Sequence, residues 1–163
     1  MAGAKRLRRP EGAARAGWSL VLEVSIPLLL GGAIYLLARP RGLVMFDWAG
    51  ALGLDAALGW AREASRPIAS HAPSWLLYSG PDALWAYAFA AFMRGLWRDR
   101  LHAESAPWLA LGPALAIGSE LGQAARLVPG TFDWIDLALV TMASVAALAR
   151  VRRVAVTPVE EAT

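Results

Sequence analysis

The chain has no cysteine, which excludes disulfides, thiol nucleophiles and thiolate metal sites together. Histidine is almost as scarce, with only His71 and His102, and the two fall in loops expected on opposite sides of the molecule, too far apart to share a metal. Charge is thin as well: Asp, Glu, Lys and Arg make up 18% of the 163 residues, against about a quarter in an ordinary soluble domain. The net charge is only +3, and the arginines stand at the ends of apolar blocks instead of forming a stripe. That distribution argues against nucleic acid as a partner and reads as a membrane-orientation signal.

What is present in quantity is apolar residue, 57% of the chain, gathered into blocks about as long as a bilayer is thick, roughly 20 residues per helix. The expected fold class is all-α: a polytopic membrane protein with four transmembrane helices and one outer interfacial helix. A basic segment, residues 1–16, reads as a disordered cytoplasmic N-terminus. The membrane domain covers residues 17–149, and residues 150–163 form a cytoplasmic tail.

The first span runs from Gly17 to Ala38 and is kinked at Pro27. It is longer than a secretory h-region of roughly 7–15 residues and no small-x-small cleavage pattern precedes Arg39, so it reads as an uncleaved anchor. The second span extends from Pro81 to Trp97, the third from Pro107 to about Leu127, and the fourth from Phe132 to Ala149. With four spans, the basic clusters around Lys5–Arg15, Arg98–Arg100 and Arg150–Arg153 all fall inside, as the positive-inside rule requires, and both termini are cytoplasmic. Arg39, Arg41, Arg62 and Arg66 are the exceptions, lying outside. Leu43 to Trp60 is apolar enough to span but carries Asp47 and Asp55; it is expected to lie in the outer interface on Trp48 and Trp60, followed by a loop from Ser65 to Ser74.

The chemistry-bearing residues sit at the outer ends of the spans. Ionisable groups near hydrocarbon are costly and face a bundle interior or a wet cavity. Glu120 and Gln123 are three apart on one face of span three, and Asp133 and Asp136 are three apart at the start of span four. The turn Pro129–Asp133 makes the two helices antiparallel neighbours, and Asp82 and Trp85 enter span two at the same level. The expected constellation is therefore Asp82, Trp85, Glu120, Gln123, Asp133 and Asp136, open to the outer face. Asp82 has a second reading as part of a capping box with Ser79.

Three roles stay open for this cluster. The acids can serve hydrogen bonding and the N-terminus of span four. They can bind a ligand or headgroup, a hard cation included. Or Glu120 can act as an acid or base beside an ionised Asp136. Toward the inner side, Glu23 and Arg94 lie at similar depth and are expected to pair as a structural salt bridge. Gly118 and Gly122 form a small-xxx-small pattern in span three.

Glu120-x-x-Gln123, the Pro129–Gly130 turn, then Phe132-Asp133-x-x-Asp136-Leu137, preceded by Pro81-Asp82 and Leu84-Trp85-Ala86-Tyr87, resemble the VanZ-like family of small bacterial membrane proteins over Trp75–Ala149. The resemblance implies a multi-pass protein of the bacterial inner membrane and cell envelope, linked through the founding member to glycopeptide-antibiotic resistance by no established mechanism. It implies no cofactor, no metal and no agreed reaction. Its partners would be the lipid bilayer and an envelope lipid or glycopeptide-like ligand held at the outer acidic pocket. A membrane-embedded enzyme working on a lipid-linked substrate through Glu120 and Asp136 is the alternative. One departure is Thr131, which stands where many members carry arginine.

Overall fold

A computed structural model describes residues 11–40 and 44–153. Among them are seven helices: α1 (Glu11–Ala38), α2 (Val44–Ala51), α3 (Asp55–Ala69), α4 (Ser74–Tyr78), α5 (Gly80–Leu96), α6 (Ala106–Ala124) and α7 (Trp134–Leu148). Two dipeptide strands, β1 (Arg100–Leu101) and β2 (Arg152–Arg153), form a parallel bridge that ties the α5–α6 connection to the chain leaving α7. The protein is thus all-α in class. Among the described residues, one helix is long and apolar enough to cross a membrane, the Ser19–Ala38 portion of α1, with a mean hydropathy of 2.1, so the four expected spans are not all met by length and composition; α7 is apolar but shorter.

The helix limits follow local chemistry. α1 begins at Glu11, directly after Pro10, because the Ala-rich run Glu11–Ala16 favours helix and a preceding proline is compatible with a helix start. Residues 11–16 are therefore helical, which corrects the expectation of disorder there; residues 1–10 lie outside the described residues. The segment read as one interfacial helix is two. α2 ends at a left-handed Gly53 (φ 70°), with Leu54 N–H returning to Ala49 O at 2.8 Å, the closing bond of a Schellman cap. α3 then starts on Asp55 and continues through Pro67 to Ala69, so the loop expected from Ser65 is mostly helix. Trp48 and Trp60 are both strongly exposed, at 64% and 76%.

α5 is the hub. It packs on α1, α6 and α7, and α4 leads directly into it. The α6–α7 connection sets those helices side by side, yet α7 packs more extensively on α5 than on α6. α5 and α7 run in the same direction: their last turns meet where Arg94 reaches the Ala147 carbonyl, and their first turns bring Asp82 within electrostatic reach of Asp136.

The core between these helices is built from small residues. Ala88, Ala90, Ala91 and Ala147 are buried, whereas Leu29, Phe92, Met142 and Val145 point outward. Close approach comes from glycines that receive a neighbour's bulk. A Cβ on Gly31 would stand 2.7 Å from the Trp85 indole nitrogen, and one on Gly112 or Gly95 would overlap Phe89 or Leu20. Gly118 faces open space and Gly122 receives Val128 from the following turn, so the Gly118–Gly122 pair does not build a helix interface within the chain.

Near the last turn of α5, Arg94, 4% exposed, forms the expected ion pair with Glu23 of α1. Its Nη1 donates to Ala147 O of α7 at 2.5 Å, and its Nε lies 2.9 Å from Asp99 Oδ1. Arg150 reaches the other oxygen of Glu23. Removing one side of a buried pair leaves an uncompensated charge, a loss of about 3–5 kcal/mol, whereas removing both is much milder. Arg94→Leu is therefore expected to be strongly destabilising and Arg94→Leu with Glu23→Leu distinctly less so. Denaturant unfolding in detergent of the two single variants and the double variant reads that coupling directly.

Candidate functional site

The end of the bundle at the first turns of α5 and α7 holds a cavity of about 380 Å³ between α5 and α6, with Val140 of α7 as part of its wall. α5 supplies Asp82, Trp85, Ala86 and Phe89 at a spacing of three to four residues, one face of a helix. α6 supplies Gly112, Leu115, Ala116, Ser119, Glu120 and Gln123 on the same principle. The upper part is polar and the lower part is lined by Phe89, Leu115, Ala116 and Val140.

Four of the six residues expected from sequence thus share one cavity: Asp82, Trp85, Glu120 and Gln123. Gln123 Nε2 donates to Glu120 Oε1 at 3.4 Å, while Glu120 Oε2 is buried with no hydrogen-bond partner. Gln123 also packs on the left-handed Gly130 of the α6–α7 connection, where a Cβ would come within 2.6 Å of the side-chain amide. Asp136 does not line the cavity but stands beside it, near enough to both Glu120 and Asp82 to interact electrostatically. Its Oδ1 is likewise buried and unpartnered. A buried acceptor without a donor costs about 1–3 kcal/mol, so two at one site are a sign of an incomplete polar set.

Asp133 has another role. Its extended backbone makes it the N-cap of α7, and its Oδ1 accepts the Ile135 N–H at 2.8 Å. The capping box proposed for Ser79 and Asp82 does not form. Ser79 is buried and makes no side-chain cap. Asp82 instead turns toward Arg39, with Oδ2 3.9 Å from Nη2. A long-range cation wins over a local turn because a partly buried carboxylate gains more from an opposite charge than from one neutral N–H.

Arg39 is the functional-site residue that sequence reasoning missed. It lies against the rings of Tyr35 and Tyr78, 5.4 and 5.0 Å from their centroids, and donates to Tyr78 O at 2.5 Å. Arg62 of α3 grips the end of α1, donating to Leu36 O and, at 2.8 Å, to Arg39 O. These are carbonyls that a helix terminus leaves without partners. The signal was in the sequence: Arg39 and Arg62 break an otherwise consistent arginine asymmetry, and a cation out of place needs a partner. Trp85 completes the rim. Its indole N–H donates to Leu28 O at 3.3 Å, and its ring tilts against Tyr35 with centroids 5.3 Å apart.

Among the described residues, no three acidic or histidine side chains are disposed to hold a metal ion. His71 lies on Pro67 O at 2.8 Å, and His102 packs edge-on against Trp97 and accepts the Ser105 N–H at 3.3 Å, so His102 is a turn-building residue instead of a merely solvated one. The chain matches no protein-family model, no curated protein and no solved structure.

The two serine and aspartate positions give a clean contrast. Asp133→Ala removes a true cap and is expected to cost about 1 kcal/mol, within the usual range for such caps. Ser79→Ala removes no cap bond and is expected to be the milder change. Paired chemical-denaturation curves of the two variants check the ordering.

Proposed function

We propose that this chain is a four-span protein of the bacterial cell membrane, VanZ-like in type, whose outer cavity binds an envelope lipid or a glycopeptide-like ligand without catalysing a reaction on it. The observation that carries the reading is the cavity itself, with its apolar lower half, its aromatic rim and a buried carboxylate oxygen of Glu120 that has no partner. Pockets that hold small molecules combine an apolar lining with a few convergent polar groups in this way.

Membrane residence is supported by the distribution of bulk. Only 6% of the most apolar stretch of α1 is buried within the protein, so the helix is not a soluble core element. α5, α6 and α7 also turn Phe92, Leu121 and Met142 outward over a core of alanines, the pattern of helices that pack through small residues in lipid. At 17, 19 and 15 residues, those three helices rise about 23–29 Å, slightly short of a hydrocarbon core of about 30 Å. Flanking turns and modest bilayer thinning accommodate that mismatch. In this topology the Arg94, Arg150 and β1–β2 end is cytoplasmic, and the cavity opens outward with α2 and α3 along the outer interface. Their exposed Trp48, Trp60 and Ile68 suit the headgroup region.

A second reading, a membrane-embedded enzyme acting on a lipid-linked substrate, is favoured by the electrostatic closeness of Glu120 and Asp136, each with an unpartnered oxygen. Such a couple can pass a proton. Turnover separates the two: a binding protein returns a lipid-linked substrate unchanged, whereas an enzyme converts it to product.

Because the chain lacks cysteine, single-cysteine variants report topology without background. Cysteine at Ser70 or Thr131 is expected to react with a membrane-impermeant maleimide in intact cells, and cysteine at Ala103 only after lysis. The reverse pattern, or labelling of all three, rejects the four-span arrangement. For function, a deletion strain is complemented with wild type, Glu120→Gln or Asp136→Asn at matched membrane abundance. Loss of cell-wall-stress or glycopeptide tolerance in both variants is the expected result. Full rescue would reduce these acids to packing groups.

A further inference from the structure

The chemical character of the cavity narrows its ligand, on the premise that the cavity is the ligand site proposed above. Three carboxylates, Asp82, Glu120 and Asp136, stand within electrostatic reach of one another. Arg39 is the cation described beside them, and it is engaged elsewhere: it reaches only Asp82, at 3.9 Å, while Tyr78 O and two tyrosine rings hold it on the side of α1. Glu120 Oε2 and Asp136 Oδ1 are acceptors waiting for donors. An anionic headgroup brought to this place meets carboxylates and is disfavoured by like-charge repulsion.

The aromatic wall points the same way. The Trp85 indole has one N–H, and it is already given to Leu28 O. The ring therefore offers the cavity no donor for an anion; it offers a π surface, which attracts cations. Below it, Phe89, Leu115, Ala116 and Val140 make an apolar channel with no polar side chain. The Phe89 ring lies directly against Gly112, where a Cβ would collide with it. Volume agrees too, since about 380 Å³ is within the range of small-molecule pockets.

We propose that the ligand is an amphipathic amine, with its cationic nitrogen set among Glu120, Asp82 and the Trp85 ring and its apolar chain along Phe89, Leu115 and Val140. The nitrogen supplies the donors that Glu120 Oε2 lacks, and the charge offsets the excess of carboxylate. Two sources share this chemistry: the aminoethyl headgroup of a membrane lipid, and a free long-chain amine.

The test uses the full chain in neutral maltoside micelles, reading tryptophan fluorescence against a Trp85→Phe variant so that only the cavity signal is counted. Dodecylamine, dodecanol and dodecanoate are titrated in parallel. Dodecylamine is expected to saturate the Trp85 signal at a concentration about tenfold below dodecanol, with dodecanoate weakest. Glu120→Gln is expected to erase that preference and leave the dodecanol response in place. Should Glu120→Gln fail to fold by circular dichroism and gel filtration, Asp82→Asn serves in its place, and the comparison of ligands on the wild-type chain decides regardless. Equal response to all three amphiphiles overturns the amine while the cavity stands as a ligand site. No Trp85-dependent response to any of them overturns both. Once dodecylamine binding is seen, displacement by phosphatidylethanolamine but not by phosphatidylglycerol supports the proposal with a lipid headgroup as the source; no displacement by either supports it with a free amine.

Discussion

One buried arginine draws its partners from three chain segments, and the end of the bundle where α5 and α7 finish is arranged around it. Arg94 is carried by α5, yet its partners come from elsewhere: Glu23 from α1, the Ala147 carbonyl from α7 and Asp99 from the turn after α5. That turn places two successive residues, Arg98 and Asp99, in left-handed backbone (φ 52° and 57°), and its effect is to bring the Asp99 carboxylate back onto the guanidinium. The strand bridge behind it, with Arg152 N–H on Asp99 O at 2.8 Å, fixes the turn in turn. Three chain segments converge on this one side chain, and Arg150 on Glu23 and the strand bridge reinforce the same junction. In a bundle whose interior is mostly alanine, which packs without directional preference, a charged node of this kind supplies the specificity that apolar contact does not.

The opposite end, at the first turns of α5 and α7, is organised on the opposite principle. There the cation sits at the margin, clasped by tyrosines, and the acids occupy the interior beside open volume. Arg39 and Arg62 also explain each other: Arg62 holds the carbonyl end of α1, which fixes where Arg39 leaves the helix, and Arg39 then reaches Asp82. α5 therefore carries a network of ion pairs near its last turn and crowded carboxylates near its first. A chain that left two carboxylate oxygens unpartnered only at the end where it also left a cavity has its stability and its chemistry separated along one helix.

Much of this was legible in the residues. Apolar runs bounded by Pro81, by Pro107 and by the Pro129–Gly130 turn mark α5, α6 and α7 to within a few positions, because proline is tolerated at helix starts and glycine at turns. Glu23 and Arg94 could be paired because few other ionisable residues lie so deep in their segments. Asp82, Trp85, Glu120 and Gln123 could be grouped from helix spacing alone. What escaped depended on distant geometry. Asp82 carries a perfect local signal for capping and ignores it for Arg39, 43 positions away in sequence. The break at Gly53 needs a left-handed residue, and an isolated glycine in an apolar run does not announce one. The dominance of the α5–α7 contact was hidden as well, since a short connection fixes which helices are near, not how much surface they share.

The glycines that admit Trp85, Leu20 and Phe89 carry a consequence for how this sequence can drift. Each is half of a volume shared between two helices, so neither half is free to change by itself. A lineage that acquired alanine at position 31 would first have to shrink the residue at 85, and the same holds for 95 with 20 and for 112 with 89. Overall hydrophobicity would be preserved by countless substitutions that violate these pairings. Common ancestry in divergent sequences should therefore persist as correlated size across three specific pairs of positions, long after residue identity has faded.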